Sequence, residues 1–586
     1  MKNRKMIVPL LSLAVLFPSA ANVYAQPNEK VEVEKVEFIG MPTPVTDQER
    51  NTMYSKAAVK VTYVNGAKKT LPLEYKDLFL PGDKFNGGIA GAAYDAKGNM
   101  ILNSEGKPYI STSPDSNTLL NVNGKSGKLY MVNHYEGMPS NEVGNMPKSM
   151  MLNTVVQDKK TGELKVVDTE PIDFSADGGI WTPCAGVLSP WNTHLGSEEY
   201  EPDARAFEAN PEKNSVTQYA RNYYQNPDMI GNPYLYGHIP EVKVDSNGRV
   251  KAVKHFSMGR LSSENVSIAQ DNRTVYYGDD GNYTMSFMYV ADKAADLTAG
   301  TLYAAKWNQT SDKNGGSANL QWIKLGQGTD EEIKSMAHRL KFSDIFDATN
   351  DVTFAKENGF TRVKAGGRDE WLRLKPGMEK AAAFLESRRY GALLGATSEF
   401  NKMETLTLNK ADNKIYMTMS TIAGGMTSNP NDPVDDIHVP KINAGGIYEM
   451  NLAGGQKDQN GENIRSKYVA DTIAGFVMGE DLPAKDSQGN NGNPDKIGNP
   501  DNIVYSEGMR TLFIAEDGNA HHNNYGWAYD VDTKKLSRIL SAPTGGEVTG
   551  IQAIDNMNGF NYLMAGSQNP GHAGYLSGLP SLDEKK

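Results

Sequence analysis

Carboxylates mark the positions at which this sequence could carry chemistry. They recur at the beginnings or ends of predicted strands that are far apart in the chain. The series consists of Glu198, Glu199, Glu264, Asp279, Asp280, Glu404, Asp501, Asp517 and Glu547. If these strands meet around one axis, this many carboxylates repel one another unless cations hold them. The pattern therefore favours a cation site, with separate turn residues or solvated charges as the alternative for each single position.

The one cysteine, Cys184, could add a sulfur ligand to such a site. A lone thiol in an exported protein forms no internal disulfide, and it is a liability unless it is buried or bound to metal. No histidine adjoins Cys184 at catalytic spacing, which disfavours a covalent thiol nucleophile. Hard oxygen donors suit Ca²⁺, whereas mixed oxygen and thiolate ligation suits iron or another transition metal. An inert, buried cysteine is the competing interpretation.

Several common site signatures are absent from the sequence. It contains no HExxH, no GxSxG, no complete P-loop and no full EF-hand loop. The nine histidines are scattered without metal-ligand spacing, except for the adjacent His521 and His522. A histidine-rich zinc hydrolase is therefore disfavoured. The net charge of −11 also argues against a nucleic-acid partner, which requires a basic face.

Repeated hairpin patterns must supply the scaffold for these residues. Apolar runs flank turns of Asp, Asn or Gly at residues 242–256, 266–280, 406–420, 503–517 and 551–567. Such repetition predicts an all-β fold, a β-propeller, because a closed repeat protects sheet edges. A large sandwich or a β-helix is the competing all-β architecture. Helical periodicity is confined to residues 330–340 and 379–394.

The N-terminus has the pattern of a Sec-type signal peptide. Basic residues at Lys2, Arg4 and Lys5 precede an apolar run, and Val23 and Ala25 offer small residues before a cleavage site. We therefore expect residues 1–25 to direct secretion, to the periplasm or outside the cell, with an uncleaved anchor as the alternative. No later stretch approaches the length of a membrane span. Residues 26–586 are expected to form a single catalytic propeller domain, with residues 26–80 as an N-terminal extension or strand.

One segment carries a specific family resemblance. The run TPCAGVLSPWNTHLGSEEYE (182–201) resembles the PhoX-type alkaline phosphatases, a family of secreted, metal-dependent six-bladed propellers. The resemblance implies that Cys184 bridges iron ions and that Glu198 or Glu199 is a ligand. The run GRLSSENVSI (259–268) resembles the motif of this family that would make Glu264 a ligand.

The resemblance continues in order toward the C-terminus. The runs YYGDDG (276–281), RYGALLGATSEFNKMETL (389–406), GNPDNIVYS (498–506) and GGEVTGIQ (545–552) match further motifs of the family. By these matches the remaining metal ligands would be Asp280, Glu404, Asp501 and Glu547.

The sequence departs from the family pattern at three places. The phosphate-contacting arginine of the family is replaced by Lys402, which keeps the charge and loses the planar bidentate fork. The twin-arginine export signal is absent. The run MVNHYEGM (131–138) carries one inserted residue, which displaces the glutamate of that motif to Glu136.

The resemblance implies hydrolysis of phosphate monoesters at a centre of iron and calcium ions. Lys402 and Cys184 would act directly in the reaction, Lys402 on the phosphate and Cys184 at the iron. Arg389 could assist, although a salt bridge at a helix terminus is the favoured interpretation. The expected partner is a small phosphate ester, and the sequence leaves the oligomeric state open. The alternatives are a calcium-dependent propeller hydrolase of other esters, such as a lactone or phosphotriester, and a non-catalytic secreted binding propeller.

Overall fold

Six four-stranded antiparallel blades, numbered here 1 to 6, form the body of the protein in a computed structural model, and blades 3 and 4 belong to one nine-stranded sheet. The structure describes residues 32–122 and 128–582, so the predicted signal peptide lies outside the described residues. The blade strands are Pro114–Leu120, Lys128–Tyr135, Ser149–Gln157 and Leu164–Pro171 in blade 1; Val187–Leu188, His194–Leu195, Ile239–Val244 and Val250–His255 in blade 2; Ser267–Ile268, Thr274–Tyr277, Phe287–Lys293 and Asp296–Ser311 in blade 3; Met403–Asn409, Lys414–Met419, Gly446–Ala453 and Val469–Met478 in blade 4; Pro500–Ser506, Thr511–Glu516, Tyr525–Asp530 and Leu536–Ser541 in blade 5; and Glu547–Met557, Phe560–Gln568, His572–Ser577 and Glu74–Phe79 in blade 6. All five predicted hairpins are confirmed.

The first strands of the blades contact one another around a central axis, from blade 3 through blades 4, 5 and 6 to blades 1 and 2. The ring is closed by strand Glu74–Phe79 from the N-terminal part of the chain, which pairs antiparallel with His572–Ser577 near the C-terminus. Closure leaves few unpaired strand edges, which is the advantage that a propeller has over an open sheet. The fold is therefore a β-propeller, as the hairpin pattern predicts, and neither a sandwich nor a β-helix.

Polar side chains bridge neighbouring first strands and fix their relative positions. In each bridge a side chain hydrogen-bonds to the backbone of the next blade, at distances of 2.7–3.2 Å. The bridging pairs are Asn265 with Leu406, Thr405 with Ile503, Asn502 with Gly550, and Gln552 with Leu119. Because buried polar groups require partners, these bridges lock the register of the strands that carry the acidic series.

The elements outside the blades are small. Strand Ser317–Thr329 joins the outer strands of blades 3 and 4. The remaining strands are Val33–Ile39, Ala58–Tyr63, Lys68–Pro72, Asn282–Thr284, Phe346–Thr349, Thr361–Ala365, Arg368–Leu374 and Phe400–Asn401. The α-helices are Asp47–Arg50, Ala204–Ala209, Ser215–Tyr224, Asp330–Ala337, Phe342–Ile345, Val352–Glu357, Glu379–Leu385 and Ser387–Leu393. Within the described ranges, no helix is long and apolar enough to cross a bilayer.

The two predicted helices are present with altered bounds. The first ends at Ala337, and the second is interrupted at Glu386, whose backbone leaves the helical region with φ −134° and ψ 47°. The Glu386 carboxylate accepts hydrogen bonds from Arg389 and Tyr234. The interruption begins a new helix whose first turn places Arg388 and Arg389 in the interior. Both arginines bind the segment between the second and third strands of blade 2, where Glu201 pairs with Arg388 and Asp203 with Arg389.

Candidate metal centre

Each of the six blades places one acid or thiol at or near the start of its first strand. In chain order these residues are Asp115, Cys184, Glu264, Glu404, Asp501 and Glu547. Since the first strands surround the axis, side chains from six distant parts of the sequence converge at one end of the channel. The common position on each strand explains why the acids recur at strand beginnings in the sequence.

Three groups of these side chains have ligand atoms within 4.8 Å of one another among the described residues. The groups are Asp115 with Glu136 and Cys184, Cys184 with Glu199 and Glu264, and Glu264 with Glu404 and Asp501. Because neighbouring groups share a member, they form one continuous cluster, called here the acidic cluster, to which Asp280 and Glu547 are also close.

Cys184 lies among acids and not in apolar packing. Its Sγ donates to Asp115 Oδ2 at 3.3 Å, and it is a free cysteine. Burial raises the pKa of the thiol well above its usual value, and the charges of Asp115, Glu264 and Glu199 raise it further. A thiolate at this position therefore requires a cation as its partner. The interpretation of Cys184 as an inert buried cysteine does not fit these surroundings.

A buried histidine pair supports the backbone of Cys184. His134 Nδ1 hydrogen-bonds to the Cys184 carbonyl oxygen, and His134 Nε2 lies 2.7 Å from His194 Nε2. Burial lowers the pKa of His134 to about 4, so the ring is neutral near pH 7. A carbonyl oxygen only accepts, so His134 Nδ1 carries the proton and its Nε2 accepts from His194. Gly186 and Gly196 leave space for these rings, since a Cβ at either position would collide with them.

The acids of the cluster resist ionisation when no cation is present. Burial raises the pKa of Asp115 to about 6 and the pKa values of Glu136 and Glu404 to about 7. Among the described residues, Glu264 Oε2, Asp280 Oδ2 and Glu404 Oε2 are buried oxygens without a hydrogen-bond partner. Buried oxygens of this kind are costly unless a cation satisfies them. The donor set therefore fits metal ions.

Lys402 lies where the cluster opens to solvent. Its Nζ is 2.7 Å from Asp280 Oδ1 and 3.1 Å from Glu404 Oε1, and its side chain is 33% exposed. Burial acts to raise the pKa of Asp280, but the Lys402 ammonium outweighs it and lowers that pKa. The backbone of Lys402 is left-handed, with φ +52°, and its N–H donates to the Gly281 carbonyl. The predicted phosphate-contacting residue is therefore held at the rim of the cluster.

Of the adjacent pair Asp279 and Asp280, only Asp280 faces the cluster. Arg388 donates hydrogen bonds to both carboxylate oxygens of Asp279, from Nε to Oδ2 at 2.6 Å and from Nη2 to Oδ1 at 2.8 Å. The same guanidinium makes a bidentate pair with Glu201. Arg388 thus ties the loop after Glu199 to the loop that carries Asp280. Its neighbour Arg389 is a buried salt-bridge residue outside the cluster, as the favoured interpretation holds.

The structure does not bring Glu198 into the cluster. Its Oε1 lies 2.7 Å from Lys254 Nζ, with both side chains 0% exposed, and also accepts from the backbone of Trp181. Its Oε2 accepts from the backbone N–H groups of Gly237 and His238. These four interactions saturate the carboxylate and hold it away from the axis. Glu199, in contrast, shares the Cys184 group, and burial and the charge of Asp280 raise its pKa well above the usual value.

A matched pair of variants separates these two glutamates. Glu199→Gln is expected to lower the bound metal content while the fold is retained, because it removes a charged donor from the cluster. Glu198→Gln is expected to lower the free energy of unfolding by about 3–5 kcal/mol, because it leaves the buried Lys254 ammonium unpaired. Its folded fraction should keep the metal content of the original protein. Elemental analysis and urea unfolding measure both effects. Metal loss from Glu198→Gln at unchanged stability would contradict the assignment.

Two residues at the cluster, Asp115 and Gln568, escape the sequence reasoning. Asp115 is the second residue of the first strand of blade 1 and lies in no recognisable motif, so only its position at a strand beginning could have indicated it. Gln568 bridges two acids, donating to Asp115 Oδ2 at 3.0 Å and to Glu136 Oε2 at 2.7 Å. Glu136 therefore reaches the cluster despite the inserted residue. Asp517 lies beside Glu547, and burial and the Asp517 charge raise the pKa of Glu547.

The fold and the cluster together define a class of protein, the β-propellers that carry a buried acid and thiol site for metal ions on their axis. The family model of alkaline phosphatase PhoX matches residues 162–571. The chain belongs to this family, and it is an alkaline phosphatase-like phosphoric ester hydrolase. The family is metal-dependent and secreted or periplasmic.

A solved structure of a PhoX protein supports the fold. Pseudomonas fluorescens PhoX in complex with vanadate, a transition state analogue, is 17% identical, with a TM-score of 0.58 over 92% of this chain and 98% of that chain. A luciferin-regenerating enzyme matches with 10% identity and a TM-score of 0.29 over 80% of this chain and 92% of that chain. The gluconolactonase XC5397 from Xanthomonas campestris matches with 9% identity and a TM-score of 0.29 over 87% and 98% of the two chains. Among curated proteins, no match is found.

Proposed function

We propose that this protein is a secreted phosphatase that hydrolyses phosphate monoesters at a multinuclear centre of iron and calcium ions. The observation that carries the proposal is the set of three unpartnered, buried carboxylate oxygens beside a lysine open to solvent. Membership of the PhoX family supports the same reaction class. In this proposal residues 1–25 are the signal peptide, and residues 26–586 form one catalytic propeller domain that acts in the periplasm or outside the cell.

The donor chemistry suggests how the two kinds of metal would be divided. Cys184 offers sulfur beside the carboxylates of Asp115, Glu136, Glu199 and Glu264, a mixture that suits iron.

The group of Glu264, Glu404 and Asp501 offers only oxygen, which suits calcium. Asp280 and Glu547 would complete the set from opposite sides. Glu198 is left out, because Lys254 and three backbone N–H groups already occupy its carboxylate.

When bound, the cations would neutralise charge on the phosphoryl oxygens during transfer. The chain itself supplies binding and orientation. Lys402 presents its ammonium at the opening, where it would contact a phosphate oxygen as a point charge. Asp280 and Glu404 hold that ammonium from below, within 2.7 and 3.1 Å of their oxygens. Burial of the cluster excludes bulk water and strengthens each electrostatic contact made to the phosphoryl group.

Replacing Lys402 tests its role toward phosphate. Lys402→Ala is expected to raise the KM for a phosphate monoester by about 10-fold or more, since a hydrogen bond to a charged group contributes about 1.5–3 kcal/mol. Inhibition by inorganic phosphate should weaken in parallel, and Lys402→Arg should retain most of the binding. Lys107→Ala, at an exposed lysine on a turn, is the control. An unchanged KM together with unchanged phosphate inhibition would remove Lys402 from the site.

Elemental analysis and a substrate panel test the proposal as a whole. Protein purified without chelators should contain both iron and calcium, and it should hydrolyse a phosphate monoester in preference to a phosphotriester or a lactone. Calcium alone with triester or lactone turnover would identify a calcium-dependent hydrolase of other esters. Bound ions without turnover of any ester would identify a binding propeller.

A further inference from the structure

Tyr200 combines an exposed ring with a hydroxyl that faces the acidic cluster. The residue follows Glu199, is 54% exposed, and has a left-handed backbone with φ +48°. Burial of its hydroxyl, together with the charges of Glu199, Asp280 and Glu404, raises the pKa of Tyr200 well above its usual value. Ser262 links the two residues, because its Oγ accepts from the Tyr200 N–H and its carbonyl accepts from the Asp280 N–H. An exposed large side chain with its polar end turned inward lies at the boundary between site and solvent.

The backbone of Tyr200 is fixed on both sides. Its N–H donates to Ser262 Oγ at 2.8 Å, and its carbonyl accepts from Trp181 Nε1 at 3.0 Å. The next residue, Glu201, is held by the bidentate pair with Arg388. Left-handed backbone is unfavourable for a residue with a side chain, so the surrounding contacts must hold it in place.

Three further arginines secure the segment beyond Tyr200. Asp203 Oδ2 accepts from Arg389 Nη2 at 2.9 Å and from Arg368 Nε at 2.5 Å. Arg260 hydrogen-bonds to the carbonyl of Pro202. Salt bridges from three arginines to Glu201 and Asp203 therefore restrain the backbone that follows Tyr200.

Tyr200 and Lys402 flank the same opening. Lys402 pairs with the buried Asp280, and Tyr200 is tied to Asp280 through Ser262. The side chains of Lys402 and Tyr200 are 33% and 54% exposed. A phosphate that meets the Lys402 ammonium therefore has the Tyr200 ring beside it on the solvent side. The organic group of the ester has room on this side, because the Tyr200 side chain is 54% exposed.

We propose that the ring of Tyr200 receives the organic group of the ester and favours planar, aromatic groups. This inference rests on the proposed function. A tyrosine ring offers a large, rigid face at low entropic cost, and aromatic pairs gain energy beyond their buried area. Aliphatic groups, such as a glyceryl group, have no planar face to stack on the ring. Tyr200 is thus a specificity residue for aryl phosphate monoesters.

The test uses two phosphonate inhibitors, so that leaving-group reactivity does not enter. Phenylphosphonate and methylphosphonate are compared as competitive inhibitors of the metal-loaded enzyme. Tyr200→Leu is expected to raise the Ki of phenylphosphonate by about 5- to 10-fold and that of methylphosphonate by less than about 2-fold. Tyr200→Phe should keep the preference, because the ring remains. Tyr200→Asn provides a second non-aromatic variant, since Asn adopts left-handed backbone readily.

Controls separate this inference from the function on which it rests. Phe354→Leu, at a 47% exposed aromatic residue on helix Val352–Glu357, should change neither Ki. Metal content and thermal unfolding are measured for each variant, so that a lost ion is not taken for a lost stacking face. An equal rise of both Ki values, or no rise in either, would overturn the role of Tyr200 while phosphatase activity stands. Failure of the unaltered enzyme to hydrolyse any monoester would overturn the proposed function, and this inference with it.

Discussion

Cys184→Ser is expected to abolish phosphate monoester turnover while the propeller stays folded. Serine can still donate to Asp115, which accepts from the thiol at 3.3 Å, so the buried acid keeps its partner. A hydroxyl is a poor substitute for thiolate toward iron, because soft sulfur donors favour that metal. The loss should exceed about 100-fold, since even the partners of a ligand contribute about 10- to 100-fold to affinity or activity.

The measurement combines activity, elemental analysis and thermal unfolding. Iron content should fall, whereas calcium held by the all-oxygen group of Glu264, Glu404 and Asp501 should persist. Cys184→Ala should lose the same activity. Ser189→Ala, at a buried serine in the same blade whose hydroxyl pairs with Thr193, is the matched control and should keep its iron. Full turnover in Cys184→Ser would exclude sulfur from the reaction centre.

Removal of the metals by a chelator is expected to destabilise the protein strongly. Without cations the buried acids have few compensating charges beyond Lys402. Each ion that binds only the folded state adds to the free energy of unfolding by mass action. The free energy of unfolding should fall by roughly several kcal/mol, since one ion at a thousand times its Kd contributes about 4 kcal/mol. Thermal unfolding before and after chelation measures the difference, and restoring the ions should reverse it.

The pH dependence of the chelated protein has a defined sign. Burial raises the pKa of Asp115 to about 6, and those of Glu136 and Glu404 to about 7, above their usual values of 3.8 and 4.5. The folded state therefore binds more protons than the unfolded state between about pH 4 and 7, and stability falls as pH rises through this window. As the pH rises through the same range, the metal-loaded protein should become more stable relative to the chelated protein, because fewer protons compete with the ions for the carboxylates. A chelated protein that is more stable at pH 8 than at pH 5, relative to the loaded form, would contradict the acidic cluster.

The hairpins could be predicted from the sequence because each is a local pattern. A turn of Asp, Asn or Gly between two apolar runs specifies its own pairing, and repetition of that unit indicates a closed ring. Four acids could be predicted for the same reason, since each lies at or near the start of a first strand: Glu264, Glu404, Asp501 and Glu547. Asp115 was not predicted as a site residue, because the sequence around it does not differ from that of an ordinary turn.

The sequence by itself determined the propeller, the acidic series with its one sulfur, and the position of Lys402 next to them. Only the tertiary structure decided which member of each adjacent acidic pair faces the axis. Adjacent side chains point in different directions, so the choice between Glu198 and Glu199, or between Asp279 and Asp280, depends on distant partners. Lys254 pairs with Glu198 across 56 residues of sequence, and Arg388 pairs with Asp279 across 109 residues. Such contacts leave no local pattern, because they exist only once the blades have assembled.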